Sequence, residues 1–248
     1  MAKGEGAKRG FSVSLFVRLG QFYVCGMRIV KRAGAAHLKV MKKQPNPANE
    51  LIPKSPTLER LQAAARNCKA CDLWKNATQT VFGEGKATAK IMLIGEVPGN
   101  REDIEGKPFV GPAGKLLDAA LAEAGIDPTE VYVTNAVKHF KWEPRGKRRI
   151  HQKPNAAEIA ACRPWLDAEI AVVRPRIIVC LGATAAQALL GRDFRVTQHR
   201  GEFLKSSLSP VVMATVHPSS ILRVPDEKMK EDEMGRFIAD LKRIPKSF

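Results

Sequence analysis

Short apolar runs alternate with amphipathic segments along residues 55–248, and this alternation predicts strands and helices in turn. Four of these apolar runs have the length of buried strands: Lys90–Gly95, Val131–Asn135, Arg176–Gly182 and Val211–Thr215. Helical spacing of apolar residues predicts helices after Ser55 and Asn155 and over Pro112–Ala124, Ala183–Leu190 and Met229–Ile244. Continuous apolar strands separated by helices are typical of a parallel sheet covered on both faces. We therefore predict a three-layer α/β/α fold with a central, mainly parallel four-stranded sheet.

Two of the predicted helices carry capping signals at their N-termini. Ser55 followed by Pro56 combines a cap residue with proline at the first helical position. Asn155 and Glu158 have the spacing of a capping box. The helix that follows Asn155 is expected to bury one apolar face, formed by Ile159, Cys162, Leu166, Ile170 and Val173.

The unusual residues of the chain lie where the predicted strands end. Gly95–Gly99 follows the first strand, Asn135 ends the second, and His217–Ser220 follows the fourth. Ligands of parallel α/β sheets bind at the carboxyl ends of the strands. We therefore expect the functional site at this edge of the sheet.

Composition and charge narrow the class of protein. The chain has 248 residues, is 44% hydrophobic and 27% charged, and has a formal net charge of +16, as expected for a basic globular domain whose partner is a polyanion. No apolar run is long enough to span a membrane. Five cysteines are too few for a disulfide scaffold, and the odd count with one Cys-x-x-Cys pair indicates a reducing compartment and a metal or redox role. We expect a cytoplasmic bacterial protein that acts at the nucleoid.

More than half of the net charge lies in residues 1–54, which carry eleven Lys or Arg and two Glu. Arg18 and Arg28 interrupt the apolar stretches of this segment, which argues against a secretory signal. An organelle transit peptide and a DNA-binding arm remain alternatives. We expect a disordered extension, or a segment upstream of a natural start at Met27 or Met41, and a single domain over residues 55–248.

Three ordered motifs resemble the uracil-DNA glycosylase superfamily. The segment from Gly95 to Gly114, with G-E-V-P-G, E-D and G-K-P-F-V-G-P-A-G, resembles the first motif of the iron–sulfur family 4 type. His217-Pro-Ser-Ser-Ile-Leu-Arg223 resembles the second motif, and Lys147-Arg-Arg-Ile-His151 resembles an insertion that marks the UdgX branch. The resemblance covers residues 55–248. It implies a uracil-DNA glycosylase-like fold, excision of uracil in DNA repair, and uracil-containing DNA as the partner.

The residue types suit this chemistry. An enzyme that acts on a base must extrude it into a pocket, where Phe109 would supply a flat apolar face. The Asn135 amide would distinguish uracil from cytosine by donating to one edge atom and accepting from the next. By resemblance, His217 would stabilise the uracil anion as it leaves. Phosphate contacts are expected from Ser219, Ser220 and Arg223.

In the UdgX branch the histidine of the insertion captures the sugar C1′ and joins protein covalently to DNA, which makes the enzyme single-turnover. His151 is the corresponding nucleophile, and Glu96 resembles the residue that orients it. Asp103 would orient the loop or hold water. Arg149 would anchor the loop or face a phosphate.

One position departs from the UdgX pattern, which usually has glutamine where this chain has Val97. The resemblance implies contacts to the substrate from Val97 and Gly99. Val97 keeps the backbone part of this contact but loses the side-chain part, so that the affinity of the pocket or the efficiency of capture is expected to differ.

Cysteine positions point to a metal centre. Family 4 enzymes hold a [4Fe–4S] cluster with a Cys-x-x-Cys pair and two later cysteines, and the resemblance implies Cys68, Cys71 and Cys162 as ligands. His139 stands where the remaining cysteine is expected, and histidine can ligate a cluster iron. A zinc site with the same four ligands is one alternative. In a second alternative, Cys162 belongs to the hydrophobic core and the metal site is incomplete. Cys180, within a strand, is expected to be a buried apolar residue.

Three functions remain open at this point. The first is uracil excision with covalent capture through His151, by a monomer that prefers single-stranded DNA. The second is a hydrolytic glycosylase of family 4 that releases uracil and leaves an abasic site. The third is a uracil-DNA-binding iron–sulfur protein without turnover.

Overall fold

The computed structural model describes residues 46–244. These residues belong to one compact unit. Of the predicted extension, only residues 46–54 are described. They include a first helix, α1 (Pro47–Leu51), and Asn46 at its N-cap donates from Nδ2 to the carbonyl of Ala160 over 2.9 Å. The predicted extension thus overlaps the folded unit at α1.

The central sheet has five strands in the described residues: β1 (Ile91–Gly95), β2 (Val131–Asn135), β5 (Ile177–Leu181), β6 (Phe203–Leu204) and β7 (Val211–Thr215). Their spatial order is β2-β1-β5-β7-β6. The first four in spatial order are parallel, as predicted, and together with the covering helices they confirm the three-layer class. The prediction of four strands was wrong, because it missed the short edge strand β6, which pairs antiparallel with β7.

A separate hairpin carries the basic insertion. It consists of β3 (Trp142–Arg145) and β4 (Arg148–His151), which pair antiparallel so that Trp142 lies opposite His151. Gly146 in the turn has a φ of 59°, a left-handed conformation that glycine adopts at little cost. His151 is thus the last residue of a defined strand, where the sequence indicated only a basic loop.

The remaining helices cover the two faces of the sheet. They are α2 (Leu58–Ala65), α3 (Asn100–Glu105), α4 (Pro112–Ala124), α5 (Ala156–Val173), α6 (Ala183–Leu190), α7 (Val196–His199), α8 (Pro218–Leu222) and α9 (Glu227–Lys242). Leu93 of β1 packs in a core cluster with residues of α4 and α9. Its neighbour Met92 packs in a second cluster with residues of α5 and α6, because successive strand residues face opposite sides of the sheet.

The capping predictions had different outcomes. The capping box of Asn155 and Glu158 at the start of α5 is confirmed. The predicted helix start at Ser55 was wrong, because Thr57 caps α2 by accepting from the backbone N–H of Arg60. No helix among the described residues is long and apolar enough to cross a bilayer.

Candidate active site

A cavity of about 360 Å³ lies at the carboxyl ends of β1 and β2, beside the hairpin and α8. The predicted site residues that line it are Val97, Gly99, Phe109, Asn135, His151, His217, Ser219 and Arg223. The lining residues that sequence reasoning did not single out are Pro98, Glu102, Ala113 and Ile150. Glu96, Asp103, Arg149 and Ser220 lie outside this lining. We refer to this cavity as the pocket.

Phe109 forms an apolar wall of the pocket from a strained backbone position. Its φ is 57°, a left-handed value that is uncommon for residues with a side chain. Gly114 allows this conformation, because a Cβ at that position would lie 1.6 Å from the Phe109 carbonyl oxygen. Gly95 likewise leaves room for the ring, whose Cζ would lie 2.7 Å from a Cβ there. The chain therefore stores backbone strain to present this ring to the pocket.

Asn135 presents its amide at the end of β2 and is only 3% exposed. Its Oδ1 would lie 2.3 Å from a Cβ at Gly95, so glycine at that position also makes room for the amide. The Asn135 carbonyl accepts from Nζ of Lys138 over 2.8 Å. Within residues 46–244 the side-chain amide forms no hydrogen bond, whereas the backbone carbonyl is held by Lys138.

Lys138 belongs to a buried network that sequence reasoning missed. Lys138 and Glu169 are 1% and 0% exposed, and they form an ion pair beneath β2. Glu169 also accepts from the hydroxyl of Tyr132 over 2.8 Å and from the N–H of Gly83 over 3.1 Å. A buried ion pair with this many hydrogen bonds fixes its surroundings, even where it adds little net stability.

His217 caps α8 and faces Phe109. Nδ1 of His217 accepts from the backbone N–H of Ser219 over 3.1 Å and lies 2.8 Å from its hydroxyl. Because Nδ1 is an acceptor, the neutral ring carries its proton on Nε2. Burial lowers the pKa of His217 to about 4, with smaller contributions from the positive charge of Arg223 and from His151. The ring therefore offers a neutral N–H donor at physiological pH, in a stacked arrangement with Phe109 at 5.9 Å between centroids.

His151 lies at the mouth of the pocket and is neutral at physiological pH. Burial lowers its pKa; the Glu96 carboxylate opposes this shift and the Arg223 guanidinium adds to it. Oε1 of Glu96 is buried and has no hydrogen-bond partner among the described residues. A neutral imidazole has a free lone pair, and a carboxylate acceptor nearby can receive its proton. His151 and Glu96 therefore offer a lone pair and an unpaired acceptor, with no hydrogen bond between them among the described residues.

An ion pair between the partly exposed Arg149 and the buried Asp103 attaches the hairpin to the body of the protein. Nη1 of Arg149 donates to Oδ2 of Asp103 over 2.6 Å, and Nε donates to Oδ1 of Asn100 over 2.7 Å. Asp103 is fully buried, and Thr78 also donates to it from its N–H and its hydroxyl. The Arg149 guanidinium lies over the Phe140 ring at 5.3 Å. Asp103 is thereby engaged in holding the hairpin that ends in His151.

Glu102 lines the pocket, although the sequence did not single it out. Its neighbour in α3, Asp103, lies outside the lining. Oε1 of Glu102 accepts from the N–H of Gly111 over 2.7 Å, at the start of α4. Gly99 permits this approach, because a Cβ there would lie 2.6 Å from Oε2. The E-D pair of the first motif was a signal for both residues, but it did not show which of them would face the cavity.

The hydroxyl groups of α8 are engaged locally. Ser219 Oγ contacts His217 and accepts from Nη1 of Arg223 over 3.2 Å, while Ser220 Oγ donates to the His217 carbonyl over 2.7 Å. A phosphate contact from either hydroxyl would therefore require these hydrogen bonds to be exchanged. Arg223 forms no ion pair within residues 46–244 and keeps its charge available at the pocket.

The three predicted cysteine ligands lie in one apolar cluster with Trp165 and Val97. Burial raises the pKa of the Cys162 thiol to about 12. Two N–H groups point at sulfur: the backbone N–H of Lys138 donates to Cys162 and Nε1 of Trp165 donates to Cys68, each over 3.2 Å. Such donors stabilise thiolates. The described residues contain no group of three or more His, Cys, Asp or Glu side chains that converges on a single metal ion.

His139, the predicted fourth ligand, is buried and hydrogen-bonded to Thr80. Thr80 donates its hydroxyl proton to the Ala65 carbonyl over 3.0 Å, so His139 Nε2, at 3.0 Å, donates to the Thr80 oxygen. Burial lowers the pKa of His139 to about 4, with Asp103 opposing the shift. Nδ1 consequently keeps a lone pair. The Ala65 carbonyl also accepts from the N–H of Cys68 over 3.0 Å, which links the histidine to the cysteine cluster.

Comparisons with known proteins agree with this geometry. Residues 82–242 match the family model described as the uracil DNA glycosylase superfamily. A type-4 uracil-DNA glycosylase of Sulfurisphaera tokodaii is 36% identical over 200 residues, which cover 77% of this chain and 88% of the relative. A type-4 uracil-DNA glycosylase of Thermotoga maritima is 36% identical over 192 residues, which cover 77% and 94%. A type-5 uracil-DNA glycosylase of Pyrobaculum aerophilum is 28% identical over 189 residues, which cover 68% and 78%.

Proposed function

Because the chain belongs to the uracil-DNA glycosylase superfamily and to its type-4 family, we propose that it removes uracil from DNA by cleaving the N-glycosidic bond. The observation that carries this proposal is the convergence of an apolar wall, an edge-reading amide and a neutral N–H donor on one cavity. These groups are the Phe109 ring, the Asn135 amide and Nε2 of His217.

Recognition of the base follows from the first two groups. An extruded pyrimidine stacks on Phe109, and its Watson–Crick edge meets the Asn135 amide. Uracil presents a carbonyl at C4 and an N–H at N3, whereas cytosine presents an amino group and an unprotonated nitrogen. An amide that donates to the uracil O4 and accepts from N3–H therefore pairs with uracil, whereas cytosine would leave both groups of the buried amide unpaired.

Bond cleavage leaves negative charge on uracil, and His217 is placed to stabilise it. A neutral Nε2–H donor toward O2 of the base lowers the energy of the departing anion. The surroundings of His217 hold the ring neutral and fix its tautomer, as described above. His217 therefore requires no protonation before the reaction.

We further propose that His151 captures the sugar, as in the UdgX branch, so that the enzyme turns over once and remains joined to DNA. As the bond between C1′ and N1 of uracil breaks, its electron pair leaves with uracil, and the lone pair of His151 forms the new bond to C1′. The imidazole proton passes to the Glu96 carboxylate, and solvent protonates the uracil anion. The position of His151 in the pocket lining and the unpaired Oε1 of Glu96 support this assignment.

Phe109, Asn135 and His217 serve equally a conventional hydrolytic reaction, which is the second candidate. In that reaction water attacks C1′ and an abasic site is released. The ion pair of Arg149 with the buried Asp103 favours capture, because it uses the carboxylate that would otherwise hold water and it fixes the strand that ends in His151.

A [4Fe–4S] cluster fits the donor set, and we propose Cys68, Cys71, Cys162 and His139 as its ligands. Three cysteines share one apolar cluster with N–H donors on two sulfurs, and His139 keeps a lone pair on Nδ1. A zinc ion with these ligands is the alternative, but it needs four donors that converge on one point, whereas a four-iron cluster separates its ligands. The cluster would tie α2 and α5 to the segment after β2.

A denaturing gel with single-stranded DNA that contains one uracil tests the proposed function. A protein–DNA band that resists SDS and heat is the expected result. Free DNA that breaks in alkali at the uracil position would support the hydrolytic alternative, and DNA that remains intact would contradict glycosylase activity. The same DNA with thymine in place of uracil is the control.

A further inference from the structure

Two further cavities extend the pocket along the surface of the protein. The first, about 460 Å³, shares His151, His217 and Ser219 with the pocket. The second, about 490 Å³, lies between α5 and α6 and shares Lys153 and Thr184 with the first. The pocket, the first cavity and the second cavity therefore adjoin one another in that order through shared lining residues.

The second cavity, the α5–α6 groove, combines an apolar floor with a basic rim. The floor includes Pro154, Ile159 and Ala160, and the rim carries Lys153, Arg163 and Arg192. No acidic residue lines it among the described residues. The combination is typical of surfaces that track a nucleic acid strand, since the cations meet phosphates and the apolar floor meets sugars and bases.

Two of the three cations are available to a ligand. Lys153 and Arg192 are exposed, and neither forms an ion pair within residues 46–244. Arg163 is held by Asp167 over 2.6 Å and also donates to the Ala188 carbonyl. Uncompensated like charges beside one groove repel each other, and a polyanion relieves this repulsion.

We propose that the α5–α6 groove binds the DNA strand that flanks the target uracil, on one side of it only. The inference rests on the proposed function and adds to it the path of the strand. A nucleotide in the pocket would have its backbone near His151 and Ser219, which also line the first cavity, and that cavity shares Lys153 and Thr184 with the groove. Lys153 and Arg192 contact phosphates of this flank.

The segment before residue 46 is the competing occupant, because Asn46 is hydrogen-bonded to Ala160 at the floor of the groove. Charge argues against it. Residues 1–45 carry ten Lys or Arg and one Glu, the same sign as the rim. A phosphate backbone has the opposite sign and is therefore the better complement.

The test compares the full-length protein with the Lys153→Ala/Arg192→Ala variant in equilibrium binding. The probes are fluorescent single-stranded DNAs with 2′-fluorinated deoxyuridine, which resists glycosidic cleavage, and with long flanks, a shortened 5′ flank or a shortened 3′ flank. Anisotropy is measured over a series of salt concentrations. Arg236→Ala/Lys242→Ala, on α9 across the sheet, removes the same charge from a distant exposed surface and is the matched control.

The proposal predicts about tenfold weaker binding of the long probe by the groove variant, and a salt dependence whose slope is smaller by about 1.4, as for two lost phosphate contacts on single-stranded DNA. Shortening one particular flank should weaken wild-type binding and remove the difference between wild type and variant.

Three results would overturn the proposal: equal loss of binding with every probe, equal loss in the α9 control, or no loss at all. No loss for DNA, together with greater protease sensitivity of residues 1–45 in the groove variant, would assign the groove to that segment instead. Failure of the proposed function would be seen separately, as equal binding of uracil and thymine probes by the wild type.

Discussion

The backbone N–H of Ser219 donates to Nδ1 of His217 over 3.1 Å, and this one hydrogen bond fixes which ring nitrogen of the neutral histidine carries the proton. In the proposed reaction, a helix cap therefore also serves as the hydrogen-bond donor to the departing base. The residue that begins α8 is also the group that presents Nε2–H beside Phe109.

Replacing His217 with Ala should slow uracil excision about 10²- to 10³-fold, as expected when one donor to a developing anion is removed. Binding of uncleavable uracil DNA should change far less, because the donor acts mainly on the departing anion. Single-turnover rates and anisotropy give the two quantities. Ser219→Ala is the matched control: the backbone N–H still holds the tautomer, so its rate should stay within a fewfold of wild type. Equal loss in the two variants would contradict the tautomer argument.

Acidification should shift the product from adduct to free abasic DNA. Burial lowers the pKa of His151 from its ordinary value, so at neutral pH one ring nitrogen has a free lone pair. Protonation in acid, at a pH below this lowered pKa, removes the lone pair. His217, with a pKa of about 4, remains a neutral donor at pH 5 to 6, so the glycosidic bond is still cleaved. Gels at a series of pH values give the fraction of cleaved DNA that is bound to protein. A fraction that rises as the pH falls would contradict His151 as the nucleophile.

The buried pair of Lys138 and Glu169 should act on uracil binding through Asn135. The Lys138→Met/Glu169→Gln variant removes both charges but keeps an acceptor for Tyr132, so the protein should fold. It should bind uracil DNA about ten- to hundredfold more weakly, because the Asn135 carbonyl loses a charge-assisted hydrogen bond.

A double-mutant cycle separates this positioning role from a general loss of stability. In an Asn135→Ala background the Lys138/Glu169 substitutions should cause no further loss, since the amide they position is gone. The half-buried pair of Lys141 and Glu158, at 3.0 Å, serves as control, and its Met/Gln variant should have the same small effect in both backgrounds. Losses at Lys138 and Glu169 that multiply with Asn135→Ala would show that the pair is only structural.

Removing His139 should alter the proposed metal centre without unfolding the protein. His139→Ala should reduce the iron content and the visible absorption of anaerobically purified protein, whereas His139→Cys should keep both, because thiolate is the usual cluster ligand. Elemental analysis and absorption spectra give the readout. Stoichiometric zinc without iron in the wild type would contradict the cluster, and unchanged spectra in His139→Ala would remove His139 from the ligand set.

The sequence predicted the layers of the fold and the edge where the site lies, for a simple physical reason. Parallel strands end at one edge, so residues that follow different strands, such as Asn135 and His217, are brought together by topology alone. The apolar runs located the parallel strands because buried strands are apolar on both faces. The two-residue strand β6 has no comparable signal.

The contacts that orient the site residues could not be predicted. Glu102 and Asp103 are adjacent in the short helix α3. The direction in which each side chain points depends on the helix starting at Asn100, and no sequence signal predicted that start. A lysine beside a polar loop is normally exposed. Lys138 can be buried because it pairs with Glu169, which lies 31 residues later in the sequence. Such long-range pairs leave no local pattern in the sequence.

Peptide mapping of the protein after reaction with uracil-containing DNA tests the central claim most directly. Digestion with a protease and a nuclease, followed by tandem mass spectrometry, locates the residue that carries the DNA-derived sugar. The account predicts the added mass on His151, and no adduct with the His151→Ala variant, which should release uracil and leave an abasic site. An added mass on another residue, or free abasic DNA as the only product of the wild type, would contradict capture by His151.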